Sequence, residues 1–197
     1  MSASAGLYLL ASGPLELDAG SLGLTHLAEG EVAAAVGAGA ALTLPLFVAL
    51  LHGRASSALA DERVRGLWGG RLVYQALVRV PLGTAVLEEL AFRGVLLALW
   101  ADMGDVHAVV ASSVAFGLWH ISPTITLVRA NHPDAARRRT VTTVIGAVAI
   151  ATGAGIVLAG LMLASDSLYV PFALHATVNS LATIAGAVAH RRADQLA

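Results

Sequence analysis

The chain has 197 residues, a formal net charge of −1, and 57% hydrophobic against 13% charged residues, with a mean hydropathy of +0.75. Soluble domains carry about 25% charged residues, and a soluble globule of this length cannot hide so much apolar surface. Disorder and electrostatic nucleic-acid binding are excluded by the same figures, and the absence of cysteine removes disulfides, thiolate catalysis and cysteine-ligated metals.

The composition predicts an all-α, polytopic membrane helix bundle with about five transmembrane helices. A span needs about 20 apolar residues. Residues 1–31 contain only a short apolar stretch, Gly6–Ala11, followed by Glu16 and Asp18. They lack a basic n-region, so they read as an interfacial or flexible lead and not as a signal peptide. The bundle is expected over 32–190. Four stretches carry no Asp, Glu, Lys or Arg: Val32–Gly53, Val106–Val128, Thr140–Ser165 and Ser167–His190. Leu72–Ala101 is equally long but holds Arg79, Glu88, Glu89 and Arg93. Within the fourth span, Ala151, Gly155 and Ala159 fall on one face, a small-residue stripe that lets helices approach closely. Pro81 lies in the second span and Pro171 near the start of the fifth, and each either removes one internal helix hydrogen bond or sits harmlessly in a first turn. A tail follows at 191–197.

All twelve basic residues are arginine, and the ten outside the spans occupy alternate loops and the tail. Arg54, Arg63, Arg65 and Arg71 precede the second span, Arg129 and Arg137 to Arg139 precede the fourth, and Arg191 and Arg192 follow the fifth. The lead and the turns at Asp102, Asp105 and Asp166 have none. By the positive-inside rule the N-terminus is outside and the C-terminus cytoplasmic. The bilayer of a bacterial plasma membrane is the expected surrounding.

Charges at membrane depth are costly and mark function by default. Glu89 and Arg93 are i, i+4 and can pair, which leaves Glu88 without a local partner, as a general base would be. His120 follows Phe116 by four residues, with Gly117 between them. His175 and Asn179 share a helix face and can bind one oxygen. The centres of spans two, three and five fall near residues 87, 117 and 178, so Glu88, His120, His175 and Asn179 all lie within about 5 Å of the midplane at ~1.5 Å per residue. Three helices thus bring polar groups to one level. Each group alone also reads as an ordinary interhelical contact.

Glu-Glu-x-x-x-Arg, then Phe-x-x-x-His, then His-x-x-x-Asn, on successive membrane helices, resembles the CPBP family of CAAX-protease and bacteriocin-processing membrane endopeptidases, also called Abi. The match covers roughly 73–190, the expected peptidase core. The resemblance implies an intramembrane peptidase acting on a membrane-associated peptide or protein. In it Glu88 would activate water and His120 would help hold it. His175 and Asn179 would stabilise the oxyanion, with Glu89, Arg93 and Phe116 in support. Family members are often called metalloproteases, and Glu88, His120 and His175 offer a His2Glu zinc set with an open position. The chain has no His-Glu-x-x-His helix, so metal dependence stays open. Many members have more helices before the first motif, which leaves room for an oligomer. A non-catalytic scaffold or bacteriocin-immunity protein on this fold predicts lost motif residues. A proton-coupled carrier predicts more spans or a repeat.

Overall fold

The computed structural model describes residues 3–52 and 59–196. Gly53, Arg54 and the extreme ends of the chain lie outside the described residues. Among those described, all regular structure is helical. Helix α1 is Ala3–Ser12 and α2 is Glu29–Ala49. A 3-10 turn at Glu62–Val64 leads to α3, helical from 69 to 99. Then come α4 (Asp105–Trp119), α5 (Ile121–Asn131), α6 (Arg137–Ser165) and α7 (Tyr169–Leu196). By length and hydropathy α2, the α4–α5 unit, α6 and α7 can each cross a membrane. Helix α3 is the fifth long helix, and its five charged residues set it apart by hydropathy. The polytopic helical bundle is therefore observed.

The bundle turns much apolar surface outward. Leu42 on α2 is 67% exposed and Ile150 on α6 is 76% exposed. In water such a surface would drive association, whereas in a bilayer it is the solvated face.

Small residues set the closest contacts. A Cβ added at Gly117 of α4 would stand 2.9 Å from the Val148 carbonyl oxygen of α6, and one at Gly155 of α6 would stand 3.0 Å from the Ser113 backbone. Ala151, Gly155 and Ala159 are all buried, so the small-residue stripe is the face that α6 turns to the bundle. Of the lead expected over 1–31 as interfacial or flexible, Ala3–Ser12 is helical, Glu29 onward belongs to α2, and Leu22 between them joins the core. Ala11 and Leu22 are fully buried in a cluster with Leu90, Val95, Ala108, Ala159 and Met162. Tyr8, Leu9 and Leu10 of α1 remain exposed.

Two expected spans are less regular than their apolar patterns suggest. The third breaks at His120, between α4 and α5. Pro123 explains the break: its ring cannot donate to the Trp119 carbonyl and clashes with it. In α3, α-helical turns alternate with π-helical stretches at Gln75–Arg79, Pro81–Ala85 and Leu90–Leu96. Pro81 lacks the N–H that an α-helical ladder needs there. Such widened turns occur often at functional sites.

Two predictions follow from the helix order and packing. Single cysteines replacing Asp105 and Asp166 should label from outside intact cells, and one replacing Ala135 only after the membrane is opened. Labelling of Ala135→Cys from outside would contradict the arginine-derived topology. Gly117→Ala should destabilise the detergent-solubilised protein by roughly 1–3 kcal/mol, as overpacking does; an unchanged melting temperature would contradict the α4–α6 approach.

Candidate active site

The site grows from the middle of α3. Glu89 and Arg93 are fully buried, and Glu88 is 7% exposed. Arg93 Nη1 donates to Glu89 Oε1 at 3.0 Å, and its Nη2 reaches the Gly155 carbonyl oxygen at 3.5 Å. The guanidinium carbon also lies 4.1 Å from the centre of the Phe116 ring, an arrangement that stabilises a cation by the ring's negative face. Glu89 Oε1 takes a second partner from α7, His175 Nδ1, at 2.6 Å. The other ring nitrogen of His175 faces Glu88: Nε2 lies 3.6 Å from Glu88 Oε2. Trp119 Nε1 donates to Glu88 Oε1 at 3.0 Å. A continuous chain of polar groups thus runs Arg93, Glu89, His175, Glu88, Trp119 across α3, α4 and α7.

The expected Glu89–Arg93 pair is present. Glu88, read from the sequence as lacking a local partner, meets Trp119 of α4. That partner lies on another helix, 31 positions away. The indole N–H is a donor only, so it can satisfy one carboxylate oxygen without taking a proton from it.

His120 sits at the α4–α5 break and is half-buried. Its Nδ1 lies 2.8 Å from the Phe116 carbonyl oxygen, which fixes Nδ1 as the protonated nitrogen and leaves Nε2 open. The Phe116 ring, 2% exposed, is shared by both histidines. It meets His120 edge-on with ring centres 4.6 Å apart and His175 at 5.8 Å. Ser112 donates to the Phe92 carbonyl at 2.5 Å, tying the Leu90–Leu96 π-helical stretch to α4.

Glu88, His120 and Asn179 line one cavity of about 730 Å3. It is a trough between α3 and α7. Gln75, Arg79, Thr84 and Glu88 form its α3 wall, and Asn179, Thr183 and Gly186 its α7 wall. Asp61, Arg63 and Val64 close one end. His175 stands behind Glu88, 8% exposed. The segment carrying Asp61 is held by Asn131, whose Oδ1 accepts from the Glu62 backbone N–H at 2.9 Å. Arg191 stacks 3.6 Å over the Trp68 ring. Burial pushes the Asp61 carboxyl up, but hydrogen bonds and charge from Arg63 outweigh it and hold Asp61 below the ordinary carboxylate range. A second cavity, about 690 Å3, lies beyond this segment against His132, Arg139 and His190 and contains none of the expected site residues.

The donor set was tested for zinc. Among the described residues no three His, Asp or Glu side chains converge as a metal-holding group. Glu88 and His175 approach each other, but His120 does not join them as a third ligand. Glu88, His120 and His175, the set offered by the sequence if a metal is present, do not fit a three-ligand site in this arrangement, and no step below uses a metal.

Sequence reasoning missed Trp119 and the Asp61–Arg63 end of the trough. Trp119 carried one signal, a hydrogen-bond donor beside His120 in an apolar span. Segment 59–64 carried none, being an ordinary polar loop.

Comparison with curated proteins and with solved structures gave no match. The sequence does match a family described as type II CAAX prenyl endopeptidase Rce1-like, over residues 70–181. That stretch contains Glu88, Glu89, Arg93, Phe116, His120, His175 and Asn179. With its helical membrane bundle and the polar chain across α3, α4 and α7, the protein belongs to the type II CAAX prenyl endopeptidase Rce1-like family.

Proposed function

We propose that this protein is an intramembrane endopeptidase that hydrolyses a peptide bond in a membrane-associated protein or peptide by glutamate-activated water. The observation that carries the reading is the position of Glu88: a buried carboxylate on the wall of a polar trough, opposite Asn179 and beside His120. Amide hydrolysis needs an activated water and donors for the oxyanion. Glu88 Oε2 is the base, since Oε1 is occupied by Trp119. The open Nε2 of His120 helps hold the water.

The water oxygen bonds to the scissile carbonyl carbon while one of its protons passes to Glu88. The carbonyl oxygen becomes an oxyanion that accepts from the Asn179 amide, which no described residue engages, and from His175. His175 Nδ1 is taken up by Glu89 Oε1 at 2.6 Å, which leaves Nε2 as the nitrogen that can serve the oxyanion. Collapse of the intermediate breaks the C–N bond, and Glu88 returns its proton to the leaving amine. Atoms balance: one water is consumed, giving one carboxylic acid and one amine, and transfer of the acid's proton to the amine leaves a carboxylate and an ammonium. Glu89 and Arg93 orient His175 from behind and touch no reacting atom. The enzyme would act in a bacterial plasma membrane, N-terminus outside, with the trough's Arg63 end facing the cytoplasm.

Glu88→Gln keeps the shape and the Trp119 bond but removes the base, so turnover should fall by about 10²–10⁴-fold. Asn179→Ala should cost about 10²–10³-fold, as removal of one oxyanion donor does. The double variant should lose less than the product of the two, because the groups act together. A chelator should leave turnover intact. The readout is release of new termini from membrane peptides incubated with each protein, and equal processing by wild type and Glu88→Gln would overturn the reading.

A further inference from the structure

The second cavity, about 690 Å3, takes no part in the polar chain. It lies between the last turn of α5 and the first turns of α6, at the arginine-bearing end of the bundle. Leu59, Leu127 and Val128 give it apolar walls, with Arg139, His132 and Thr143 at its exposed edge. Both carboxylates that line it are already paired. Asp61 meets Arg63 at 2.7 Å, and Glu62 lies 3.2 Å from His190 Nε2 and 3.4 Å from Arg65 Nε. Arg139 is the remaining permanent charge, and among the described residues it has no carboxylate partner. Its Nη2 donates to His132 Nε2 at 3.0 Å; a guanidinium only donates, so that nitrogen is the acceptor. One edge of the guanidinium is thus held and the rest is left for an anion, and the fork matches phosphate geometry.

The helix below Arg139 carries an apolar track that continues from the cavity. Arg139, Thr143, Gly146, Ile150 and Gly153 recur at i, i+4, i+7, i+11 and i+14, one helix face, and all are exposed. A Cβ built at Gly146 or Gly153 would meet nothing within 4 Å, and Ile150 is 76% exposed. Free phosphate would gain nothing from such a track, whereas an acyl chain can lie along it. The depth agrees. Arg139 stands twelve residues from Ala151, the middle of the 29-residue α6, which is about 18 Å along the axis. The headgroup layer of a bilayer lies roughly 15–22 Å from the midplane. We propose that the second cavity binds an anionic phospholipid, with its phosphate on Arg139 and an acyl chain along Thr143, Gly146 and Gly153. The site is separate from Glu88, with segment 59–64 between them, and does not depend on the peptidase reading.

The test uses full-length protein in dodecyl maltoside micelles doped with dioleoyl phosphatidylglycerol or dioleoyl phosphatidylcholine, with the lipid retained per protein read by native mass spectrometry. Wild type should retain a single phosphatidylglycerol in preference to phosphatidylcholine. Arg139→Gln should lower the phosphatidylglycerol affinity by roughly 10- to 100-fold, the range for one charge-assisted contact. Arg138→Gln removes the same charge from a neighbouring residue outside the cavity lining, and should change the affinity little. Gly146→Leu fills the track without meeting the bundle, so it should weaken lipid retention while the lipid-free protein melts as wild type does. Equal retention of the two lipids would overturn the proposal. So would equal losses from Arg138→Gln and Arg139→Gln, the result expected of a diffuse basic surface. Displacement of the lipid by inorganic phosphate at constant ionic strength, or full retention by Gly146→Leu, would remove the acyl chain from the account and overturn it as well.

Discussion

The site depends on the burial of one carboxylate, Glu89, between two cation-capable partners. Arg93 holds it from the same helix at 3.0 Å and His175 from α7 at 2.6 Å. A charge at this depth in an apolar bundle is tolerated only if paired, so the pairing also fixes which helices are neighbours. Arg93 then reaches Gly155 on α6 and the Phe116 ring on α4. One buried guanidinium thereby joins three helices, and the small residues of α6 allow the approach.

Glu88 inherits its geometry from this arrangement. It follows the same helix turn as Glu89 but points to the trough, where Trp119 fixes one oxygen and His175 faces the other. Adjacent glutamates thus take different work because their neighbours differ: Glu89 is enclosed and paired, while Glu88 borders open space. The π-helical stretches around them widen α3, and Ser112 accounts for a carbonyl on the one beginning at Leu90.

Much of this was legible in the sequence, for physical reasons that can be named. Apolar run length revealed the spans, because a bilayer demands it. The Glu89–Arg93 pair was legible from helical spacing, and the close face of α6 from Ala151, Gly155 and Ala159. The interruption of the third span at His120 was also readable, since Pro123 forbids a bond to Trp119, yet the uniform apolarity of Val106–Val128 masks it. Contacts between helices were not legible. Nothing in spacing tells that Trp119 reaches Glu88, or that His175 reaches Glu89. The packing of Leu22 into the bundle was hidden for a related reason: the leucines of the lead beyond its short apolar stretch, Leu15, Leu17, Leu22, Leu24 and Leu27, follow no helical period.

The central claim is that Glu89 and Arg93 act as one buried unit that supports the site without doing chemistry. A double-mutant cycle on thermal stability in detergent tests it most directly. Removing either partner strands a buried charge, a loss of roughly 3–5 kcal/mol, so Glu89→Gln and Arg93→Met should each lower the melting temperature sharply. The double variant strands neither, and should be more stable than the sum of the single losses by at least about 1 kcal/mol. Strictly additive losses, or single variants as stable as wild type, would contradict the account.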